Sequence, residues 1–267
     1  MRNRFLEGRV AIVTGGGRGI GAATAAALAR AGAMVTVSAR TEEEIEAVVH
    51  QIGEAGGSAL AVPTDIGDGE QVLAMVDRTV EAFGRIDFLI NCAAILEPLG
   101  RPAWEVTPEA WRRTIDVDLV GPFLLAHAVV PHMVRQRTGR VINVSSEVGG
   151  GHVLPPVTVP RASAYSAARA GANSFIRVLS AELLGTGVTA NIVWPGVVET
   201  RQLHEFRSGL LGEDRAWGRW QLPAVDPAGP ARMLVWLCSP ATAHLTGQVV
   251  SWNDPLVQGQ LAFFRAA

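Results

Sequence analysis

Lysine is absent from this chain, and tyrosine occurs once in its 267 residues. All 23 basic residues are therefore arginine, set against 25 acidic ones, and a formal net charge of -2 leaves no basic stripe of the kind that holds nucleic acid. Cysteine is scarce too. Cys92 and Cys238 are too few for a disulfide framework and lack metal-ligand spacing, so both are expected to be core thiols. His127 and His132 share a helical stretch without the i, i+4 spacing that sets two imidazoles on one face, and no metal is expected. The first apolar run, within MRNRFLEGRVAIVTGG, is too short and too strand-like for a secretory signal, and no later stretch reads as reaching transmembrane length. The expectation is a cytoplasmic protein with a small-molecule substrate and neither nucleic acid nor membrane as partner. Charge blocks, repeats and low-complexity tracts are missing as well, and 48% hydrophobic with 18% charged residues describes a folded chain.

What is present alternates. Apolar, β-rich runs at Val10 to Thr14, Met34 to Ser38, Leu60 to Pro63, Ile86 to Asn91, Val141 to Ser145, Val188 to Val193 and Gln248 to Ser251 are nearly continuous, as strands covered on both faces are. Helical stretches separate them at Ile20 to Ala31, Glu42 to Glu54, Gly69 to Phe83, Pro108 to Gln136, Ser163 to Leu184 and Pro227 to Cys238. This order predicts an α/β fold, a single doubly wound parallel sheet of about seven strands with helices on both faces, occupying 1–267 as one Rossmann-type domain. Residues 201–225 break the alternation, carry Trp217 and Trp220, and read as a lid over the site.

The stretch TGGGRGIG, Thr14 to Gly21, follows the first strand and opens the first helix. Gly15, Gly19 and Gly21 permit a tight turn and close backbone approach, and the amides of Ile20 and its neighbours at a helix N-terminus suit a pyrophosphate. The second strand ends in Val37, Ser38, Ala39, Arg40, without the carboxylate that takes the ribose hydroxyls of NAD. Arg40, with Arg18 from the glycine loop, would pair with the 2′-phosphate of NADP, against the plainer reading of two solvated surface arginines.

These residues and those that follow resemble the short-chain dehydrogenase/reductase family over essentially the whole length. TGGGRGIG is similar to its cofactor loop, Thr64 to Ile66 (TDI) to its adenine segment, and Asn91 to Ala94 (NCAA) to its NNAG motif with two departures. Ser145 and Ser146 end a strand, YSAAR (Tyr165 to Arg169) stands in place of Tyr-x-x-x-Lys, and PGVVET (Pro195 to Thr200) is similar to the segment closing over nicotinamide. The resemblance implies that Asp65 and Ile66 hold adenine, Asn91 the adenine ribose region, and Pro195, Val198 and Thr200 the nicotinamide side. It also implies a homodimer or homotetramer built through the two long central helices.

In that family tyrosine is the general acid/base, serine binds the substrate oxygen, lysine acidifies the tyrosine and binds ribose, and asparagine completes a proton relay. Ser146 and Tyr165 match; Arg169 replaces the lysine and Asp118 the asparagine, and the interval before Tyr165 is long and proline-rich. A phenol must fall from about 10 toward 7 to carry protons at neutral pH, roughly 4 kcal/mol, which a cation about 4 Å away supplies at an effective dielectric near 20. Arginine suffices in charge, so its shape decides. Asp118 and Arg169 would be neighbours and form a compensating pair, or arginine stands at 169 only because the chain uses no lysine. A chain that otherwise omits tyrosine places one here, which favours use of the hydroxyl. Glu147 and His152 are weaker candidates to face substrate, and Trp104, Trp111 and Trp194 read as packing residues.

The expected function is an NADP-dependent oxidoreductase moving hydride between nicotinamide and a ketone or secondary alcohol. The Leu, Trp and Pro content of the lid and of 152–160 suggests an apolar, ring-containing substrate. Two other readings stay open: a non-redox dehydratase or isomerase using Tyr165, with or without Asp118, as acid/base, and a catalytically silent NADP-binding subunit.

Overall fold

The apolar runs form seven strands, β1 (Val10–Thr14), β2 (Met34–Ala39), β3 (Ser58–Pro63), β4 (Phe88–Asn91), β5 (Gly139–Val144), β6 (Val188–Trp194) and β7 (Val249–Ser251). All pair in parallel, in the order β3-β2-β1-β4-β5-β6-β7, in a computed structural model that describes residues 4–96, 101–149, 161–210 and 223–264. Side chains alternate across the sheet: Ala11 and Val13 join the core under α1 (Gly19–Arg30), α2 (Glu42–Glu54) and α8 (Ala228–Leu237). Ile12 joins the opposite core, under α3 (Gly69–Phe83), α5 (Gly121–Gln136) and α6 (Ser163–Glu182). The chain runs outward from β1 to β3 and returns at β4, so the direction of winding reverses between β1 and β4. A crevice opens there at the strand C-termini, where such sheets take ligands.

Strand limits differ from the sequence expectation by two residues at most, and α2 and α3 match it at both ends. Asp68 explains why α3 starts where it does: its side chain accepts hydrogen bonds from the Glu70 and Gln71 amides. The stretch Pro108 to Gln136 is not one uniform helix. It comprises α4 (Pro108–Ile115), a π-helical turn (Asp116–Val120) and α5, so one widened turn sits at the crevice. This stretch also corrects the expectation about membrane length. At 29 residues and a mean hydropathy of 1.5 in its most apolar window, it is long and apolar enough to cross a bilayer, but half of that window is buried in this fold, where Leu125, Val129 and Met133 pack on the sheet.

Two helices were not foreseen. Asp254 caps α9 (Pro255–Phe263), and α7 (Arg201–Leu210) begins the segment read as a lid. The rest of that segment up to 222, with Trp217 and Trp220, lies outside the described residues, as do residues 150–160 with His152. The segment returns at Val225, which bridges to Val198 through Glu199 N–H to Val225 O and Val225 N–H to Val197 O, both 2.9 Å.

Candidate active site

A cleft of about 340 Å³ follows the strand C-termini from the glycine loop to Tyr165. Beneath it, without lining it, a polar row crosses the sheet: Thr14 Oγ1 donates to Asn91 Oδ1 at 2.6 Å, and Asn91 Nδ2 donates to Asn143 Oδ1 at 2.8 Å. Asn91 is 3% exposed and does not line the cleft. The ribose role expected for it is corrected accordingly: its amide joins β1, β4 and β5 edge to edge and presents nothing to a ligand.

The glycine loop lines one end of the cleft with Gly15, Arg18, Gly19, Ile20 and Gly21. Gly15 has φ 63°, and a Cβ there would stand 2.7 Å from Ala93 N; one on Gly21 would stand 2.1 Å from Gly15 O. No side chain caps the first turn of α1, so its amides are left for an anion. This cradle of bare backbone fits a dinucleotide pyrophosphate. At the adenosine end Arg40 lines the cleft, exposed, with Asp65 and Ile66. Asp65 is already engaged: Arg113 donates to Oδ2, and Gly67 N–H to Oδ1 at 2.9 Å. Burial opposes its charge, yet the Arg113 and Gly67 hydrogen bonds, with Arg113 and Arg40 as nearby cations, hold its carboxyl below the usual range. Arg18 faces Glu44 Oε1 at 3.7 Å, so it is shared with a carboxylate the sequence reading had not placed in the site.

At the other end Ser145, Ser146, Tyr165, Arg169, Pro195, Val198 and Thr200 line the same cleft. The Ser146 hydroxyl accepts from Val148 N–H at 3.3 Å and retains its proton for another acceptor. Arg169 is 2% exposed. Its guanidinium carbon lies 5.1 Å from the Tyr165 ring centroid, Nη1 donates to Val144 O at 3.2 Å, and Nη2 lies 3.6 Å from Asp118 Oδ2. Burial works against the guanidinium charge, but Asp118, Tyr165 and Cys92 outweigh it and raise its pKa.

Asp118 comes from the π turn, is 0% exposed and does not line the cleft, and its Oδ1 accepts from Ile95 N–H at 2.9 Å. The expected neighbourhood with Arg169 is present. The route from Asp118 to the cleft runs through Arg169, which lines it. Burial raises its pKa to about 6, with Arg169 and the Ile95 amide pulling the other way. Folding therefore tightens the hold on this proton, and the stability it contributes is complete below the ordinary carboxylate pKa near 4 and is lost as pH rises through about 6. We expect the unfolding free energy of the wild type, relative to Asp118→Asn, to fall by about 2 kcal/mol between pH 4.5 and 7 in urea titrations. A difference independent of pH would show that Asp118 is ionised throughout.

Other expectations need adjusting. Cys238 is a core thiol, but Cys92 lines the cleft beside Arg169, its thiol pushed up to about 12 by burial. Its position was marked by the departure from the family's asparagine in NCAA. Glu147 accepts from Asn253 Nδ2 at 3.1 Å and does not line the cleft. Trp194 packs at 3% exposure, whereas Trp104 is 85% exposed.

A doubly wound sheet with a glycine-lined phosphate cradle at its crevice and a serine, a tyrosine and a buried cation at the far end defines a nicotinamide-dinucleotide enzyme. The family described as short chain dehydrogenase matches residues 9–210, and the chain belongs to the short-chain dehydrogenase/reductase family. It is accordingly an NAD(P)-dependent oxidoreductase. It is 35% identical over 253 residues to a 3-oxoacyl-[acyl-carrier-protein] reductase of Synechocystis, covering 94% of this chain and 98% of that one. It is 38% identical over 251 residues to the short-chain reductase protein NovJ of Streptomyces niveus, covering 90% and 91%. Among solved structures it superposes on actinorhodin polyketide ketoreductase, solved with NADPH, with a TM-score of 0.81 and 31% identity over 94% of this chain and 97% of the other.

Proposed function

We propose that the protein is an NADP-dependent ketone reductase. The observation that carries this reading is the convergence of Ser146, Tyr165 and Arg169 on one cleft with the glycine loop. Bound NADPH supplies the hydride; Gly15, Gly19, Ile20 and Gly21 would hold its pyrophosphate, Asp65 and Ile66 its adenine, and Pro195, Val198 and Thr200 its nicotinamide side. Ser146 donates a hydrogen bond to the substrate oxygen, and Tyr165 delivers the proton that makes the alcohol. Arg169 supports the phenol from beneath and supplies positive charge where the phenolate forms. The choice of NADP rests on Arg40, on the lack of a carboxylate at the end of β2, and on the NADPH in the actinorhodin ketoreductase structure. Glu44 must yield Arg18 for that arginine to join the 2′-phosphate.

The substrate class proposed is an apolar, ring-containing ketone, taken in under the 201–225 segment as a lid. The polyketide ketoreductase among the relatives supports it. In the dehydratase or isomerase alternative, the form that uses Asp118 beside Tyr165 as acid/base needs Asp118 at the substrate, and its burial outside the cleft counts against that form. A cytoplasmic protein of one domain, paired through the outer faces of α5 and α6, completes the reading; Phe123 and Val178 stand 49% and 55% exposed there. Purified protein mixed with NADPH or NADH and a panel of aromatic and polycyclic ketones should consume NADPH, with NADH at least about tenfold less efficient. No loss of absorbance at the reduced-nicotinamide band with any ketone would defeat the reductase reading, and a preference for NADH would defeat the cofactor assignment alone.

A further inference from the structure

We infer that Asp118 and Arg169 act as one unit in which Asp118 is a positioning residue. It turns the guanidinium toward itself and damps its field at Tyr165, so that neither residue can be returned alone to the family's asparagine or lysine. The inference rests on the reductase reading above.

The geometry points this way because nearly every direction around Arg169 is accounted for. Nη1 is spent on Val144 O, Nη2 faces Asp118 Oδ2 at 3.6 Å, and the plane lies under the Tyr165 ring with its centre 5.1 Å away. Arg169 Nε and Asp118 Oδ2 have no hydrogen-bond partner among the described residues, so the two side chains meet as an ion pair and not through a hydrogen bond. Asp118 is fixed in turn by Ile95 N–H and by the π turn that carries it, and both members are essentially without solvent, at 2% and 0% exposure. A guanidinium in so closed a place without an anion would be a buried unpaired charge, and a carboxylate there without the guanidinium would be the same in opposite sign. Besides these two, the ionisable groups acting on Arg169 are Tyr165, its neighbour on α6, and Cys92 at the end of β4, which stays a neutral thiol.

Each single reversion then has its own defect. Lysine at 169 facing Asp118 is a compact ammonium drawn to the carboxylate and away from the ring it should support. Asparagine at 118 leaves the arginine cation undamped, which favours the phenolate over the protonated phenol that ketone reduction requires. Reverting both restores a neutral amide beside an ammonium.

The test is the four-member cycle of wild type, Arg169→Lys, Asp118→Asn and the double variant, read as kcat/KM against pH with NADPH and the ketone of the panel that the wild type reduces fastest. Arg169→Lys should lose about 30-fold or more, and the double variant should recover at least about tenfold of that loss. Asp118→Asn should move the alkaline limb of the profile down by roughly one pH unit. Losses that simply multiply, together with an unmoved limb, overturn the inference. Should Asp118→Asn alone fail to fold, rescue of Arg169→Lys by the second change still decides it. Should the wild type be inert on every ketone, the reductase reading fails by itself, and the same cycle read in NADPH affinity and melting temperature judges the pairing: additive effects refute it.

Discussion

Tyr165→Phe is expected to lower kcat for ketone reduction by about 10³-fold, within the usual range for removing a general acid, while NADPH affinity stays within about threefold. The split follows from what the side chain does here. Its ring lies over the Arg169 guanidinium with 5.1 Å between centroid and carbon, a contact that phenylalanine keeps, and of the interactions with that cation only the hydrogen bond of the phenol is given up. Only the hydroxyl is lost, and with it the proton that must reach the substrate oxygen as hydride arrives. Ser146 cannot replace it, because a serine hydroxyl is far too weak an acid to donate its own proton outright. Stopped-flow absorbance with saturating NADPH and a fluorescence titration of the cofactor measure the two halves. Retention of a tenth or more of the turnover would remove Tyr165 as proton donor; loss of NADPH binding would recast it as part of the cofactor cradle alone.

The fold was largely legible because its signals are local. Continuous apolar runs of strand length alternate with amphipathic stretches, and strands covered on both faces have no polar alternation to confuse them. The cofactor loop was legible for the same reason, being eight consecutive residues that run from the end of one strand into the first turn of one helix. What was hidden depends on partners distant in sequence. Asn91 looked like a ribose ligand until strand register placed it between Thr14 and Asn143, one of them 77 and the other 52 residues away. The π turn at Asp116–Val120 adds about one residue to one turn of a long apolar helix, a shift too small to show in the hydrophobic pattern. That turn is what carries Asp118 inward, so the sequence could mark the residue as a departure and suggest its neighbour but could not show its burial. Glu44 was lost among Glu42, Glu43 and Glu44, since only the phase of α2, with Ile45, Val48 and Ile52 buried, selects which of the three leans over Gly17.

Gly21→Ala should be the most disruptive single-methyl change in the chain's cofactor loop, costing about 3 kcal/mol or more of stability and weakening NADPH binding by about 100-fold. The added Cβ would lie 2.1 Å from the Gly15 carbonyl oxygen and 3.0 Å from Gly16 Cα, atoms of backbone that no rotamer change can withdraw. Gly15 cannot retreat, because it is itself held in a left-handed conformation, φ 63°, with the Ala93 backbone closing its other side. The loop must therefore unwind from the end of β4, and the amides at the start of α1 lose the arrangement that suits a pyrophosphate. Gly53→Ala in α2 is the matched control: nothing lies within 4 Å of its Cβ position, it sits inside a helix, and a gain of about 0.5 to 1 kcal/mol is expected. Urea unfolding and NADPH titration of both variants separate loop geometry from the general effect of adding a methyl group. If Gly21→Ala binds NADPH as the wild type does, the cleft beside α1 is not where the pyrophosphate rests, because a loop forced off its closest contact could not keep the same anion in place.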